Sequence, residues 1–298
     1  MGILSIFRGL IADQPTFGSA SGAVGRFFRW QVATRVQNYP VAVPFAGNTR
    51  LLVKRGMAGA TGNVYRGLHE FADMAFVVHV LRKGDLFVDV GANVGTYTVL
   101  AAGVAGADCM AFEPAPETFE TLLDNVHLNR LSEKATCFCS AVGGACGTVE
   151  FTRGLDSVNR VLKSGEQVRD KITVPVTTLD KLLSETCPRV IKIDVEGFET
   201  AVIDGAQRSL NNETLCAVIM ETNGQGLKFG FDEELLHQRM LGWGYDTFQY
   251  LPRQHVLRSL GGRRNAAGNT LYVRNCEWVK ERLRTAEKFL IQASKEEL

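Results

Sequence analysis

From Leu86 onward the chain alternates short apolar runs with segments of helical period. The runs are LFVDV from Leu86, CMAFE from Cys109, TCFCSAV from Thr136, VIKID from Val190, CAVIME from Cys216, YDTFQY from Tyr245 and TLYVR from Thr270. Helices are expected to begin near Val94, Pro116, Asp180, Gly197 and Asp232. Strands apolar along their whole length are covered on both faces, and the intervening helices supply the cover. The pattern predicts an α/β fold around a buried, parallel sheet. A hairpin insertion near residues 147–177, GTVEFTR to ITVPVTT with a polar loop between its arms, interrupts the alternation.

Residues 1–80 read as a leader to a main domain at 81–275. VAVPFAG and RLLVKR form a hairpin through Gly47-Asn48, a strong turn dipeptide. GLHEFADMAFVVHVLRKG then reads as an amphipathic helix. Its apolar face is Leu68, Phe71, Ala72, Ala75, Phe76, His79 and Val80, and Gly84 stops it. At the extreme N-terminus Ile3, Leu4, Phe7, Leu10 and Ile11 share one helical face, suited to docking on the domain or a partner subunit; the alternatives are a membrane-surface helix and disorder. Residues 276–298 are expected to be a charged helix with a stripe at Trp278, Leu283, Ala286 and Leu290, suited to packing or to a homodimer.

Charge narrows the class. The 33 basic and 32 acidic residues nearly cancel, which argues against a dedicated nucleic-acid surface. No apolar run reaches the roughly 20 residues of a membrane span. A myristoylation signal fails at Ile6. The seven cysteines lack C-x-x-C or zinc spacing, so they read as reduced, mostly buried and cytoplasmic, with Cys137 and Cys139 on one strand face. There is no internal repeat.

The first strand ends in Asp89-x-Gly91-x-Asn93-x-Gly95. Glycine admits positive φ and close approach of a ligand, and asparagine tolerates the left-handed region. Asn93 and Thr96 break the dinucleotide fingerprint, and no G-K-[ST] follows to make a P-loop. Glu113 ends the second strand at a spacing where an acid grips a ribose diol. Pro114 and Pro116 then turn the chain into a helix. The ligand should carry a ribose, no diphosphate, and a cationic group near Asp89. S-adenosylmethionine meets all three conditions.

A second constellation lies at VIKIDVEGFETAVIDGA. It puts Asp194 and Glu196 at the carboxyl end of a strand, where open α/β sheets bind ligands. Lys192 and Asp194 share strand parity inside an apolar run, so at least one needs a partner. Glu199 follows on the next helix. Glu221 and Asn223, in VIMETNG, should border the same crevice.

With FVDVGANVGTYT, AFEPAPETFETLLDNVHLN, TTLDKLL, VIKIDVEGFETAVIDGA and METN, the chain resembles the FkbM family of S-adenosylmethionine-dependent methyltransferases over roughly residues 62–225. The resemblance implies a class I methyltransferase (Rossmann-like) sheet of seven strands, the last antiparallel and inserted beside the fifth. It implies that Asp89, Gly91, Asn93, Gly95, Thr96 and Glu113 hold the cofactor, that Ser140, Ala141 and Val142 flank the adenine, and that Asp194 adjoins them. It also implies methylation of a hydroxyl, on a sugar, glycan or other natural product.

Methyl transfer from a sulfonium is an in-line displacement with a neutral leaving group. The protein must align the nucleophile at about 3 Å and exclude water. A hydroxyl also needs a base or a metal. Asp194, Glu196 and Glu221 are the candidate bases. A divalent cation on Asp194 and Glu221 is an option that no spacing fixes. His255, in a loop between late strands, is a weaker candidate. His69 and His79 read as structural, and Tyr65 and Glu70 as residues that could close over the cofactor. The rivals are a nicotinamide oxidoreductase, a nucleic-acid or protein methyltransferase, and a non-catalytic relative. The broken fingerprint counts against the first. For a nucleic-acid enzyme, DVEG stands where [DNS]-P-P-[YF] is usual.

Overall fold

The computed structural model describes residues 20–36, 39–54, 56–153, 159–163, 165–266 and 268–298. The apolar face read at Ile3–Ile11 lies outside them. The leader comprises helix α1 (Ala20–Val36), strands β1 (Val41–Pro44) and β2 (Arg50–Val53), and helices α2 (Ala58–Arg66) and α3 (Phe71–Val80). The next elements are β3 (Leu86–Val90), α4 (Thr96–Val99), β4 (Asp108–Phe112), α5 (Pro116–Leu128), β5 (Ala135–Phe138) and β6 (Ala141–Val142). The insertion is β7 (Gly147–Thr152) and β8 (Lys171–Thr177). Then come α6 (Leu179–Leu182), β9 (Val190–Ile193), α7 (Glu199–Asp204), α8 (Gln207–Asn211), β10 (Ala217–Glu221) and α9 (Glu233–Gly242). The chain closes with β11 (Asp246–Leu251), β12 (Val256–Ser259), β13 (Asn269–Val273), α10 (Cys276–Arg284), β14 (Leu290–Ile291) and β15 (Glu296–Glu297).

The main sheet runs β12-β11-β13-β10-β9-β3-β4-β5. β5, β4, β3, β9 and β10 are parallel. β13 lies between β10 and β11, antiparallel to both. Without its outermost strand this is the class I methyltransferase order, an α/β sheet flanked by helices. The eighth strand, β12, extends the edge antiparallel to β11 where a loop was expected. It is short and carries an arginine, Arg258, both common on sheet edges.

Strand alternation assigns each side chain to a layer. Val88, Val90, Ile191, Ile193, Val218 and Met220 pack under α7 and α9 with Val202, Ile203, Leu236 and Met240. Phe87, Val190, Ala217, Ile219, Leu271 and Val273 face the leader and α10 with Phe76, Val279 and Leu283. Each fully buried side chain of this kind contributes roughly 1.5–3 kcal/mol. The same parity sends Asp89, Lys192, Glu221 and Asn269 to the leader side. In register Asp89 pairs with Lys192, and Glu221 with Asn269. A polar row therefore crosses the carboxyl ends of the parallel strands on one face.

The structure departs from the sequence reading in four further places. TCFCSAV splits: β5 ends at Phe138, and Ala141–Val142 leaves to pair with β8. Cys139 therefore lies beyond the strand. Only Cys109 and Cys216 are buried, and Cys146 is exposed. α3 stops at Val80, before Gly84, and eight of its ten residues are buried, because the sheet covers one side and the C-terminal segment the other. The terminal helix ends at Arg284. The last residues form the β14–β15 hairpin, and Ile291 bridges to Ala46 of the leader.

Candidate functional site

A cavity of about 520 Å³ opens at the carboxyl ends of β3, β4, β9 and β10, roofed by α2 and the start of α3. Its floor is the turn after β3. Gly91 has φ +80°, and a Cβ there would lie 1.9 Å from the carbonyl oxygen of Asp194. Only glycine fits a backbone approached that closely. Asn93 also has positive φ, at +51°, and its Oδ1 accepts the Val94 N–H (2.7 Å). The Gly91 and Ala92 N–H groups both donate to the Phe112 carbonyl, which ties the turn to β4.

Glu113 completes that tie. Its Oε2 accepts the Asn93 N–H (3.0 Å) and its Oε1 the Ala115 N–H (2.9 Å). Each oxygen retains a lone pair for another donor. The side chain is 6% exposed, and burial pushes its carboxyl pKa up to about 7 against the two N–H donors. Asp89 is more deeply set, at 1% exposure. Its Oδ2 accepts the Thr98 hydroxyl (2.7 Å), whereas its Oδ1 is buried with no hydrogen-bond partner among the described residues. Burial raises its pKa, opposed by Lys192 and by the Thr98 bond. A buried carboxylate oxygen left unmatched calls for a cation or donor.

An acidic cluster borders the same cavity, beside the turn. One oxygen each of Asp194, Glu196 and Glu221 lie within 4.8 Å of one another. Glu221 has its pKa pushed up to about 8, by burial and then by Asp194, Glu196 and Glu199. Lys192, 3% exposed, is the cation paired with Asp194: its Nζ donates to Asp194 Oδ2 at 2.7 Å and lies 4.7 Å from the centroid of the Tyr97 ring. Burial opposes its charge, but Asp194, Glu70 and Asp89 outweigh burial and hold its pKa above the ordinary value. The Tyr97 hydroxyl donates to Glu70 Oε2 (2.8 Å), and Asn269 Nδ2 reaches Glu70 Oε1 (3.0 Å) and Asp73 Oδ2 (3.1 Å). A continuous polar chain thus runs from the leader through Tyr97 and Lys192 to Asp194.

Glu196 sits at φ +56° and accepts from Gln225 Nε2 (2.6 Å). Gly197 follows at φ +99°, and a Cβ on it would meet the Gln225 backbone at 2.7 Å. Glu199 braces this loop rather than entering the cavity: its Oε1 accepts the Val195 and Gly197 N–H groups (3.1 and 3.2 Å). Burial lifts its pKa to about 7.

Of the residues singled out in the sequence, Asp89, Gly91, Asn93, Thr96, Glu113, Ser140, Ala141, Val142, Lys192, Asp194, Glu196 and Glu221 line the cavity, as do Tyr65 and Glu70. His69, read as structural, lines it too. Gly95 does not: it starts α4 at φ +85°, where a Cβ would meet Leu122 at 2.4 Å. Asn223 lies outside the lining, and its Oδ1 accepts the Gln225 N–H. His255 stands elsewhere, stacked 4.5 Å from His79, with Nδ1 2.8 Å from the Leu283 carbonyl oxygen. It is no candidate base for this cavity. Sequence reasoning missed Tyr97 and the wall of Phe151, Asn159, Val161 and Phe198, most of it from the insertion, and Asn269, which bonds Glu70 from outside the lining. Only the apolar alternation of the insertion hinted at that wall.

The profile of the Methyltransferase FkbM domain matches residues 89–247, more than half of the chain. Hexuronic acid methyltransferase AglP of Haloferax volcanii is 28% identical over 133 residues, covering 44% of this chain and 53% of that protein. The chain thus spans about half the length of AglP. The 31-O-demethyl-FK506 methyltransferase FkbM of Streptomyces tacrolimicus is 27% identical over 184 residues, 50% of this chain and 70% of that protein. A solved FkbM methyltransferase from Methylobacillus flagellatus KT superposes with a TM-score of 0.43 at 16% identity, over 72% of this chain and 55% of that chain.

Proposed function

Because the chain belongs to the FkbM methyltransferase family, we propose that it transfers a methyl group from S-adenosylmethionine to a hydroxyl of a sugar, glycan or other natural product. The observation that carries this reading is one cavity with two chemistries: a glycine turn with Asp89 and Glu113, and three converging carboxylates beside it. Glu113 would hold the ribose hydroxyls, and Gly91, Asn93 and Thr96 would admit the methionine portion against the turn. The unmatched Oδ1 of Asp89 suits its ammonium. Ala141 and Val142 offer apolar contact, and Ser140 a polar one, for the adenine. The cofactor, when bound, supplies an electrophilic methyl with a neutral leaving group.

The acceptor would lie over Asp194, Glu196 and Glu221, one of which takes the hydroxyl proton. A base with a pKa near the working pH is the most effective, and Glu221 has that character. Lys192 stays charged and positions Asp194. The three carboxylate oxygens also suit a divalent cation, and turnover after exhaustive chelation separates the two routes. An acceptor with its own carboxylate would be repelled there and would have to turn it toward Arg66 and His69, which also line the cavity. The names of two relatives carry acceptors that suit this reading, a hexuronic acid and 31-O-demethyl-FK506. A reducing, cytoplasmic setting suits the seven free cysteines.

Calorimetry and product mass spectrometry test this together. Glu113→Ala should weaken cofactor binding by about 1.5–3 kcal/mol, the range for hydrogen bonds to a charged group. Asp194→Asn should keep cofactor binding and lose turnover, read as one added methyl on cell glycans. Unchanged affinity in the first variant removes the ribose assignment. Unchanged turnover in the second removes Asp194 from the chemistry.

A further inference from the structure

The near-zero net charge hides an uneven distribution. Residues 1–69 hold eight basic side chains and one acid, Asp13, whereas the rest of the chain holds 25 basic and 31 acidic. No acid stands between Asp13 and Glu70. α1 carries Arg26, Arg29 and Arg35. Arg26 turns inward, donating from Nε to the Tyr65 carbonyl and from Nη1 to that of Ala293 (2.9 Å each). Ala23, Phe27 and Trp30 share that buried side.

Phe28, Val32 and Arg35, spaced i, i+4, i+7, share the opposite face, with Arg29 beside them. Phe28 is 56% and Val32 63% exposed, and both arginines are exposed. Tyr39, just beyond the helix, is 81% exposed. Half of the six exposed large apolar side chains among the described residues fall in this one stretch. The inner side of α1 meets the cavity roof: the Phe27 and Tyr65 rings lie 5.2 Å apart, and Tyr65 lines the cavity. The exposed face is thus one helix away from the site.

We propose that the outer face of α1 docks on an anionic lipid bilayer and holds the cavity rim near the membrane. Phe28 and Val32 enter the headgroup–acyl boundary, while Arg29 and Arg35 pair with lipid phosphates. A nucleic-acid duplex would engage the arginines and leave Phe28 and Val32 in water, so the bilayer is the better match. Given the methyltransferase reading, on which this last step rests, the acceptor hydroxyl belongs to a compound presented at a membrane surface.

The full chain is sedimented with vesicles of phosphatidylcholine alone and of phosphatidylcholine with phosphatidylglycerol, across a salt series. It should bind the anionic vesicles and lose binding as salt rises. The double variant R29E/R35E should weaken binding about tenfold or more. F28S/V32S should also weaken it while keeping the salt dependence. Both should melt like the parent and keep its calorimetric affinity for S-adenosylmethionine. No binding to anionic vesicles overturns the proposal, as does full binding by either variant. Tighter binding to duplex DNA or RNA, indifferent to F28S/V32S, also overturns it. Vesicle binding needs no turnover, so its failure with cofactor affinity intact removes the docking and leaves methyl transfer standing. A parent chain that binds vesicles but no cofactor gives the reverse result.

Discussion

Gly91 and Lys192 show how little freedom the site leaves at single positions. At Gly91 two constraints coincide: a left-handed backbone, and an Asp194 carbonyl where a Cβ would have to lie. Left-handed strain alone costs roughly 1–2 kcal/mol for an L-residue. Gly91→Ala should therefore destabilise the fold by about 2 kcal/mol or more, since turn or loop must also shift. Urea denaturation reads that loss, and a cofactor titration should show binding reduced with it. Lys192 is constrained by charge. Removing one member of a buried ion pair costs about 3–5 kcal/mol. Asp194 is 30% exposed and partly screened, so Lys192→Met should cost less, about 1–3 kcal/mol. Turnover should fall further than cofactor affinity, because Asp194 loses its anchor. A variant as active as the parent would show that Asp194 needs no positioning.

At the scale of elements, Asn269 is the joint. It opens β13 and reaches two acids at the start of α3, the capping Glu70 and Asp73 of the first turn, almost two hundred residues away in sequence. Asn269→Ala leaves both without that donor, which should cost about 1–3 kcal/mol and loosen α3 from the sheet. Hydrogen exchange should speed up in α3 more than in β13. Nothing in the sequence around Asn269 foretells this role, because a long-range hydrogen bond leaves no local period. The strands and turns were legible for the opposite reason. Wholly apolar runs, glycines at forced φ and acids at strand ends are written in neighbouring residues, so Asp89, Glu113 and Asp194 could be found before their contacts. α2 was not legible: AGATGNVYR is a poor helix former. Its Gly62 is instead required by closeness, since a Cβ there would meet His69 at 2.6 Å. The burial of α3 was misread too, because its outer cover comes from the far end of the chain, where Phe289 meets His79 at 5.3 Å.

For the molecule as a whole, the acids concentrated at one end of the sheet couple stability and binding to protons. Burial pushes Asp73, Glu113 and Glu199 up to about 7, and Glu221 up to about 8. In the unfolded chain such groups titrate near 4. Between those limits the folded protein holds more protons than the unfolded one, so these groups make stability fall as pH rises. His79 acts oppositely: burial holds its imidazole at about 3, so its contribution grows until the unfolded histidine has lost its proton near 6.5. Above pH 6.5 the carboxylates prevail. The melting temperature should drop by about a few degrees from pH 6.5 to 8, and Glu221→Gln should flatten that slope. A cationic ligand among these carboxylates lowers their pKa values, so binding should expel protons. S-adenosylmethionine titrated at pH 7 in phosphate and in Tris should therefore give different apparent heats, their difference reporting net proton release. S-adenosylhomocysteine, which lacks the sulfonium charge, should release fewer. Equal heats in both buffers would mean that the cofactor sits away from the carboxylates on which the whole assignment of the cavity depends.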